Sequence, residues 1–223
     1  VTRRALGAFL LHVQKTARRP ARRLAPCHES GSVQASTLRD PVRCSLLPFP
    51  YRRRRIAIER RLLDLNPRLD LHCLGENINE HNVEELVSEA ELIVDSAPLF
   101  EERMLLNRES QRQNKPMVEA AMYELQAQLT TLIPGQTPCL ACFTPKSPPA
   151  WKRRFPVFGA VSGSVACMAA MEAIKIITGN GETLAGKLLT YDLRDMTFRT
   201  TSIQRNAECS VCGSGNGPSL GNS

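Results

Sequence analysis

Glycine is nearly absent from the first third of this chain. Before residue 75 there are only Gly7 and Gly31, and neither stands in a G-x-G-x-x-G turn between a strand and a helix. That excludes the fingerprint by which a first βαβ unit offers backbone N–H groups to a pyrophosphate. No apolar run approaches the roughly 20 residues that cross a bilayer. No apolar segment with a small-residue cleavage site opens the sequence either. A soluble, cytoplasmic protein with no membrane partner is therefore expected. No internal repeat is visible.

Acidic residues are scarce at one end only. Residues 1–55 hold thirteen arginines and lysines against Glu29 and Asp40, a charge of +11, so the rest of the chain carries −4 of the total +7. The basicity belongs to an N-terminal tail and says little about the folded part. That tail is read as a basic segment over 1–53, disordered or non-native. An organelle transit peptide and a polyanion-binding arm are its alternatives, and nucleic acid is not expected as a partner. Inside it, "RRALGAFLLHVQ" has Leu6, Phe9, Leu10 and Val13 on one face of a short basic helix.

Regular patterning begins near residue 54. "RRIAIERRLLDLNP" predicts a helix stopped at Asn66-Pro67, and "RLDLHCLG" a strand. "NVEELVSEAE" reads as a short helix capped by Asn82, "LIVDSA" as a buried parallel-type strand, and "PLFEERMLLNRESQRQN" as a helix. "KPMVEAAMYELQAQLTTLIPG" holds two strands, "FGAVSGSVACMAAMEAIKIITGNG" is a long small-residue helix closed by Gly179, and "GKLLTYDLRDMTFRTTSI" is a hairpin turning at Arg194-Asp195. Alternating α and β followed by adjoining strands predicts an α/β sheet with an antiparallel extension over 54–213, followed by a flexible tail at 214–223.

Cysteine occurs eight times, and four of the eight fall in two C-x-x-C pairs, Cys139/Cys142 and Cys209/Cys212, with 66 residues between them. A C-x-x-C turn presents two sulfurs from one knuckle, and two knuckles complete a closed tetrahedral zinc shell. The long spacer costs little, because closure entropy grows logarithmically. Such a site is structural, and it pins the C-terminal tail beneath the 134–143 junction. A thioredoxin-type redox pair is the competing reading. Cys73 and Cys167 read as core residues.

The motifs "RLLDLNP" (61–67), "LIVDSAP" (92–98), "RMLLN" (103–107), "PCLAC" (138–142), "GAVSGSVACMAAMEAIKIITG" (159–179), "GKLLTYDL" (186–193) and "CSVCG" (209–213) resemble, in this order, the ThiF/MoeB/HesA family of ubiquitin-activating-enzyme-like adenylyltransferases. The resemblance covers about 54–213. It implies a Rossmann-like ThiF/MoeB-type fold lacking its first βαβ unit, with the antiparallel extension and the zinc knot. It further implies ATP and magnesium as cofactors, and AMP transfer to the C-terminal glycine of a ubiquitin-like or sulfur-carrier protein. A homodimer, or a heterodimer with a complete adenylating subunit, is expected.

The resemblance assigns nucleotide or carrier contact to Arg54, Asp95 and Arg103. Arg54 stands where the family has a phosphate lysine, keeping the charge with a different shape. Asp95 begins the family's DxxD, but the magnesium acid three residues on is Pro98, which cannot bind a metal. Asp95 is accordingly expected to close its strand and hold nearby backbone groups. For Arg103 the alternative is a solvated Glu102/Arg103 face. The crossover stretch 143–161 contains no cysteine for a thioester. Its Trp151, Lys152, Arg153 and Arg154 either anchor the loop or grip an acidic partner. With phosphate loop and magnesium acid missing, adenylation is expected to be weak or lost. The alternative is a non-catalytic, zinc-stabilised binding subunit.

Overall fold

The computed structural model describes residues 9–11, 41–45, 51–74, 76–144 and 156–213. The remainder of the 1–53 segment, the Trp151–Arg154 cluster and the 214–223 tail lie outside the described residues. The strands are β1 (Phe9–Leu11), β2 (Pro41–Ser45), β3 (Asp70–Leu74), β4 (Leu92–Asp95), β5 (Met117–Tyr123), β6 (Gln126–Leu132), β7 (Lys187–Asp192) and β8 (Thr197–Ser202). The helices are α1 (Tyr51–Leu65), α2 (Val83–Ser88), α3 (Phe100–Arg112), α4 (Leu140–Phe143) and α5 (Gly159–Thr178).

All strands join one mixed sheet of order β3-β2-β1-β4-β5-β6-β7-β8. β2 runs parallel to β3 and β4 parallel to β5, whereas β5 to β8 form an antiparallel meander. This is a Rossmann-like α/β architecture with the expected antiparallel extension.

The structure departs from expectation at the N-terminal side. Phe9–Leu11, expected to be helical, is a strand lying antiparallel between β2 and β4. The backbone groups of buried β4 need partners along that edge, and a ladder satisfies them where a helix cannot. β2, α1 and β3 then make a parallel βαβ unit, drawn partly from a segment expected to stay outside the fold. No glycine lies in the 46–50 link between β2 and α1. β1 thus pairs along the edge of β4.

Elsewhere local sequence and structure agree. α1 begins at Tyr51 and ends at Leu65, where Asn66 still donates to the Leu62 carbonyl at 2.9 Å and its Oδ1 accepts the Arg68 N–H at 3.1 Å. Asn82 stands at the N-cap of α2, but its side chain makes no cap hydrogen bond. It braces the preceding loop instead, accepting from Asn79 N–H at 2.9 Å and donating to Asn77 O at 2.8 Å.

Side chains alternate between the two sheet faces. Ile93, Met117 and Leu132 join Leu86, Leu106 and Leu140 in a core under α2, α3 and α4. Leu92, Val118 and Leu129 join Val161, Val165, Ala169 and Ala173 of α5 on the other face. α5 is, by length and composition, apolar enough to cross a membrane, contrary to the sequence reading; its inner stripe packs on the sheet instead. Buried Glu172 fixes it there, accepting from Thr131 Oγ1 at 2.6 Å and Leu184 N–H at 2.7 Å and pairing with Lys175. Gly179 ends the helix in the left-handed region at φ 66°. Cys167, expected in the core, is exposed on the outer face of α5 with Met171, Ile174 and Ile177, because the buried positions recur on the opposite stripe. Cys73 is half-buried.

Candidate functional site

The two C-x-x-C knuckles meet. In the first, Cys139 stands at the start of α4, and its carbonyl accepts the Cys142 N–H at 3.0 Å. In the second, the Cys209 carbonyl accepts the Gly213 N–H at 2.9 Å. A Cβ on Gly213 would lie 2.5 Å from the Cys209 carbonyl and 2.6 Å from that of Ala207, so this turn admits only glycine. Arg205 clamps the tail, donating to Cys212 O at 2.6 Å and Gly135 O at 3.2 Å.

The four sulfurs lie within 4.8 Å of one another, with Cys139–Cys209 at 3.6 Å and Cys142–Cys212 at 3.3 Å. A thiolate tetrahedron at the usual Zn–S length of about 2.3 Å has edges of about 3.8 Å. Cys139, Cys209 and Cys212 are buried, so the shell has no open position. Buried Asn107 Nδ2 beside this cluster has no acceptor, as expected where a donor awaits metal-bound thiolate. The donor set therefore fits a closed metal centre.

Thiol chemistry separates this from the redox reading. Burial pushes the Cys139 and Cys142 thiols upward. Cys209, although burial raises it, is brought down to about 7 by the Cys212 and Val211 backbone N–H groups and by the Cys139 and Cys142 thiols. An exchanging dithiol needs an accessible low-pKa sulfur, and Cys209 is only 6% exposed.

A second cluster lies on the α3 face of the sheet. Arg103 is 6% exposed, so the solvated-face reading of Glu102/Arg103 is overturned: both side chains turn inward beneath α3. Its Nη1 donates to Glu119 Oε1 at 2.9 Å and Asp95 Oδ2 at 3.4 Å, and its Nη2 to Ala120 O at 3.1 Å. Asp95 ends β4 as expected, its Oδ1 accepting the Ala97 N–H at 2.8 Å.

Two carboxylates thus share one guanidinium in a dry site. Burial raises the Asp95 carboxyl, with Arg103 opposing. Glu119 is pushed up to about 7, chiefly by burial and further by Asp95, against the pull of Arg103. Glu119 escaped the sequence reading; the available signal was a lone acid inside the apolar strand "MVEAAM". Arg54 falls in α1, and its side chain lies outside the described residues.

Beyond α3, no helix among the described residues covers this sheet face. Glu119, Ala121 and Tyr123 of β5 point the same way as Gln126 and Gln128 of β6, Thr190 and Asp192 of β7, and Thr197 and Arg199 of β8. They line a cleft of about 540 Å³ that begins at Arg103 and Leu140. Its floor mixes polar side chains with apolar surface from Phe100, Ala121, Tyr123 and Leu140, and the side chains stand in rows that an extended chain can follow.

A Rossmann-like mixed sheet carrying a four-cysteine cluster and a cleft over its antiparallel half defines a Rossmann-like α/β domain with an antiparallel extension. The chain belongs to the ThiF family, whose model matches residues 51–211. It is 47% identical over 149 residues to protein HesA of Nostoc sp., covering 67% of this chain and 59% of that protein. It is 36% identical to the SAMP-activating enzyme E1 of Haloferax volcanii, over 68% of this chain and 57% of that one. The sulfur carrier protein adenylyltransferase of Thermus thermophilus is 32% identical, over 71% and 62%. Among solved structures, E. coli MccB with MccA-N7isoASN superposes with a TM-score of 0.63 at 25% identity, covering 71% of this chain and 51% of MccB. The chain thus spans about three fifths of the length of these three curated relatives and about half of MccB.

Proposed function

We propose that this chain is the C-terminal portion of an ATP-dependent adenylyltransferase that activates the C-terminal glycine of a ubiquitin-like or sulfur-carrier protein. The observation that carries the reading is the sheet face of β5 to β8, uncovered by helix among the described residues and running to the buried Arg103. An extended carrier tail lies along β5 to β8, its side chains meeting the rows on that face. Relatives named as a sulfur carrier protein adenylyltransferase and a SAMP-activating enzyme support this substrate class. Cys139, Cys142, Cys209 and Cys212 hold zinc, which fastens the tail of the domain. A cytoplasmic setting, where thiols stay reduced, accompanies the reading.

Adenylation by the chain alone is weak or absent. No glycine turn precedes α1 among the described residues, and Pro98 stands at the magnesium acid's position. ATP and magnesium enter through a more complete site. ATP–pyrophosphate exchange with a synthetic carrier tail tests this: the expected result is tail binding with exchange near background. Full exchange would remove the claim of weakness, and absence of tail binding would remove the substrate class.

A second reading, a zinc-stabilised non-catalytic subunit paired with a complete adenylating partner, is favoured by the exposed apolar stripe Met171, Ile174 and Ile177 on α5. Placing glutamate at Ile174 is expected to abolish pairing in sedimentation while leaving the fold intact.

A further inference from the structure

Asn107 joins the four-cysteine cluster to the cleft. It is wholly buried on α3, one turn beyond Arg103. Its Oδ1 accepts the Leu140 N–H at 2.8 Å, inside the first cysteine knuckle. Its Nδ2 has no partner. An unmet buried donor is costly, so the fold keeps this amide for an acceptor that arrives with a ligand.

A metal-bound thiolate is such an acceptor. Leu140 follows Cys139 directly, so the Oδ1 bond sets the amide against that knuckle. Four thiolates around a divalent ion leave net negative charge in a dry site, and surrounding N–H donors offset it. Cys142 already has one, the Asn206 N–H at 3.5 Å.

We propose that Asn107 is the positioning residue of the four-cysteine site, its Nδ2–H donating to the Cys139 sulfur in the metal-loaded protein while its Oδ1 holds the knuckle to α3. The inference rests on the metal reading given above. Arg103 and Asn107 share one face of α3, and Leu140 lines the cleft.

The test compares the full chain with Asn107→Asp, which keeps an acceptor for Leu140 N–H but replaces the donor with an oxygen. Against a chromophoric chelator, the variant is expected to hold zinc about 10–100-fold less tightly. With cobalt in place of zinc, its thiolate-to-metal charge-transfer band should shift, a change that looser packing alone would not produce. Zinc held equally well with an unshifted cobalt band overturns the inference. If the variant does not fold, cadmium-113 NMR of the unaltered chain decides: a through-sulfur correlation from the metal to the Asn107 amide protons is expected. Its absence, with backbone N–H correlations to the other cysteines visible, overturns the inference. A chain that takes up no metal overturns this inference and the metal reading together, whereas equal metal binding by both forms overturns this one alone.

Discussion

Arg103 on α3 and Glu119 on β5 are buried against each other, Nη1 to Oε1 at 2.9 Å, with Asp95 sharing the same nitrogen at 3.4 Å. This is one cation for two acids, and the fold holds it beneath the helix that leads into the cleft. Removing the cation leaves uncompensated buried charge. Arg103→Met is expected to destabilise the domain by about 3–5 kcal/mol, measured as the shift in urea midpoint at pH 8. A loss below the ordinary range for a surface substitution would show that the pair is not the closed one described.

The same cluster predicts a pH dependence. Glu119 titrates at about 7 in the folded chain and at 4.5 as an ordinary carboxyl, and Asp95 is raised too. The folded state therefore binds more protons, so stability is greatest below the ordinary value and falls as pH rises toward 7. Glu119→Gln is expected to flatten that fall. Urea midpoints at pH 5 and pH 8, compared between the two forms, check it; equal slopes would contradict the assignment.

Metal removal should free the tail before it unfolds the sheet. Structural four-cysteine sites contribute apparent binding energies of about 10–16 kcal/mol, whereas residues 203–213 carry few buried apolar side chains of their own. Cys209→Ser is expected to lose metal and to become sensitive to protease between Ile203 and Gly213, with the cores under α3 and α5 retained by hydrogen exchange. Metal content by atomic emission and limited proteolysis are the measurements.

Gly213→Ala drives a methyl into two carbonyl oxygens of the second knuckle. Overpacking of this kind costs about 1–3 kcal/mol. Here the neighbours are backbone and cannot move aside, so the effect should appear at the upper end and be accompanied by weaker metal retention. Gly135, beside no such neighbour, provides the comparison for space, although its φ of 76° makes alanine strained there as well.

Glu172→Ala removes the acceptor for Thr131 Oγ1 and Leu184 N–H and the partner of Lys175. The expected loss is about 3–5 kcal/mol, read from thermal unfolding. These contacts account for Glu172 and Lys175 within the helix motif at 159–179.

How far the sequence could be read depended on how local each cause was. The stop at Asn66-Pro67, the αL glycine at 179 and the turn at Arg194-Asp195 arise within a few residues, and all are found where expected. The four cysteines were legible at long range because duplicated spacing carries its own geometry. Phe9–Leu11 was misread because its helical period competes with an edge-pairing partner, Leu92–Val94, far along the chain. Cys167 was misread because a helix of small residues does not announce which stripe faces the sheet.

Sequence alone determined the main elements from α1 onward, the pairing of two C-x-x-C knuckles and the family resemblance, since spacing and local backbone chemistry are written into the chain. Tertiary structure alone decided that Arg103 turns inward to Glu119 and Asp95, and that Asn107 reaches the first cysteine knuckle. It also decided that rows of polar side chains on β5 to β8 leave an open cleft. Each of these depends on which side chains desolvation brings together, and burial is a property of the assembled sheet and helices rather than of any short stretch.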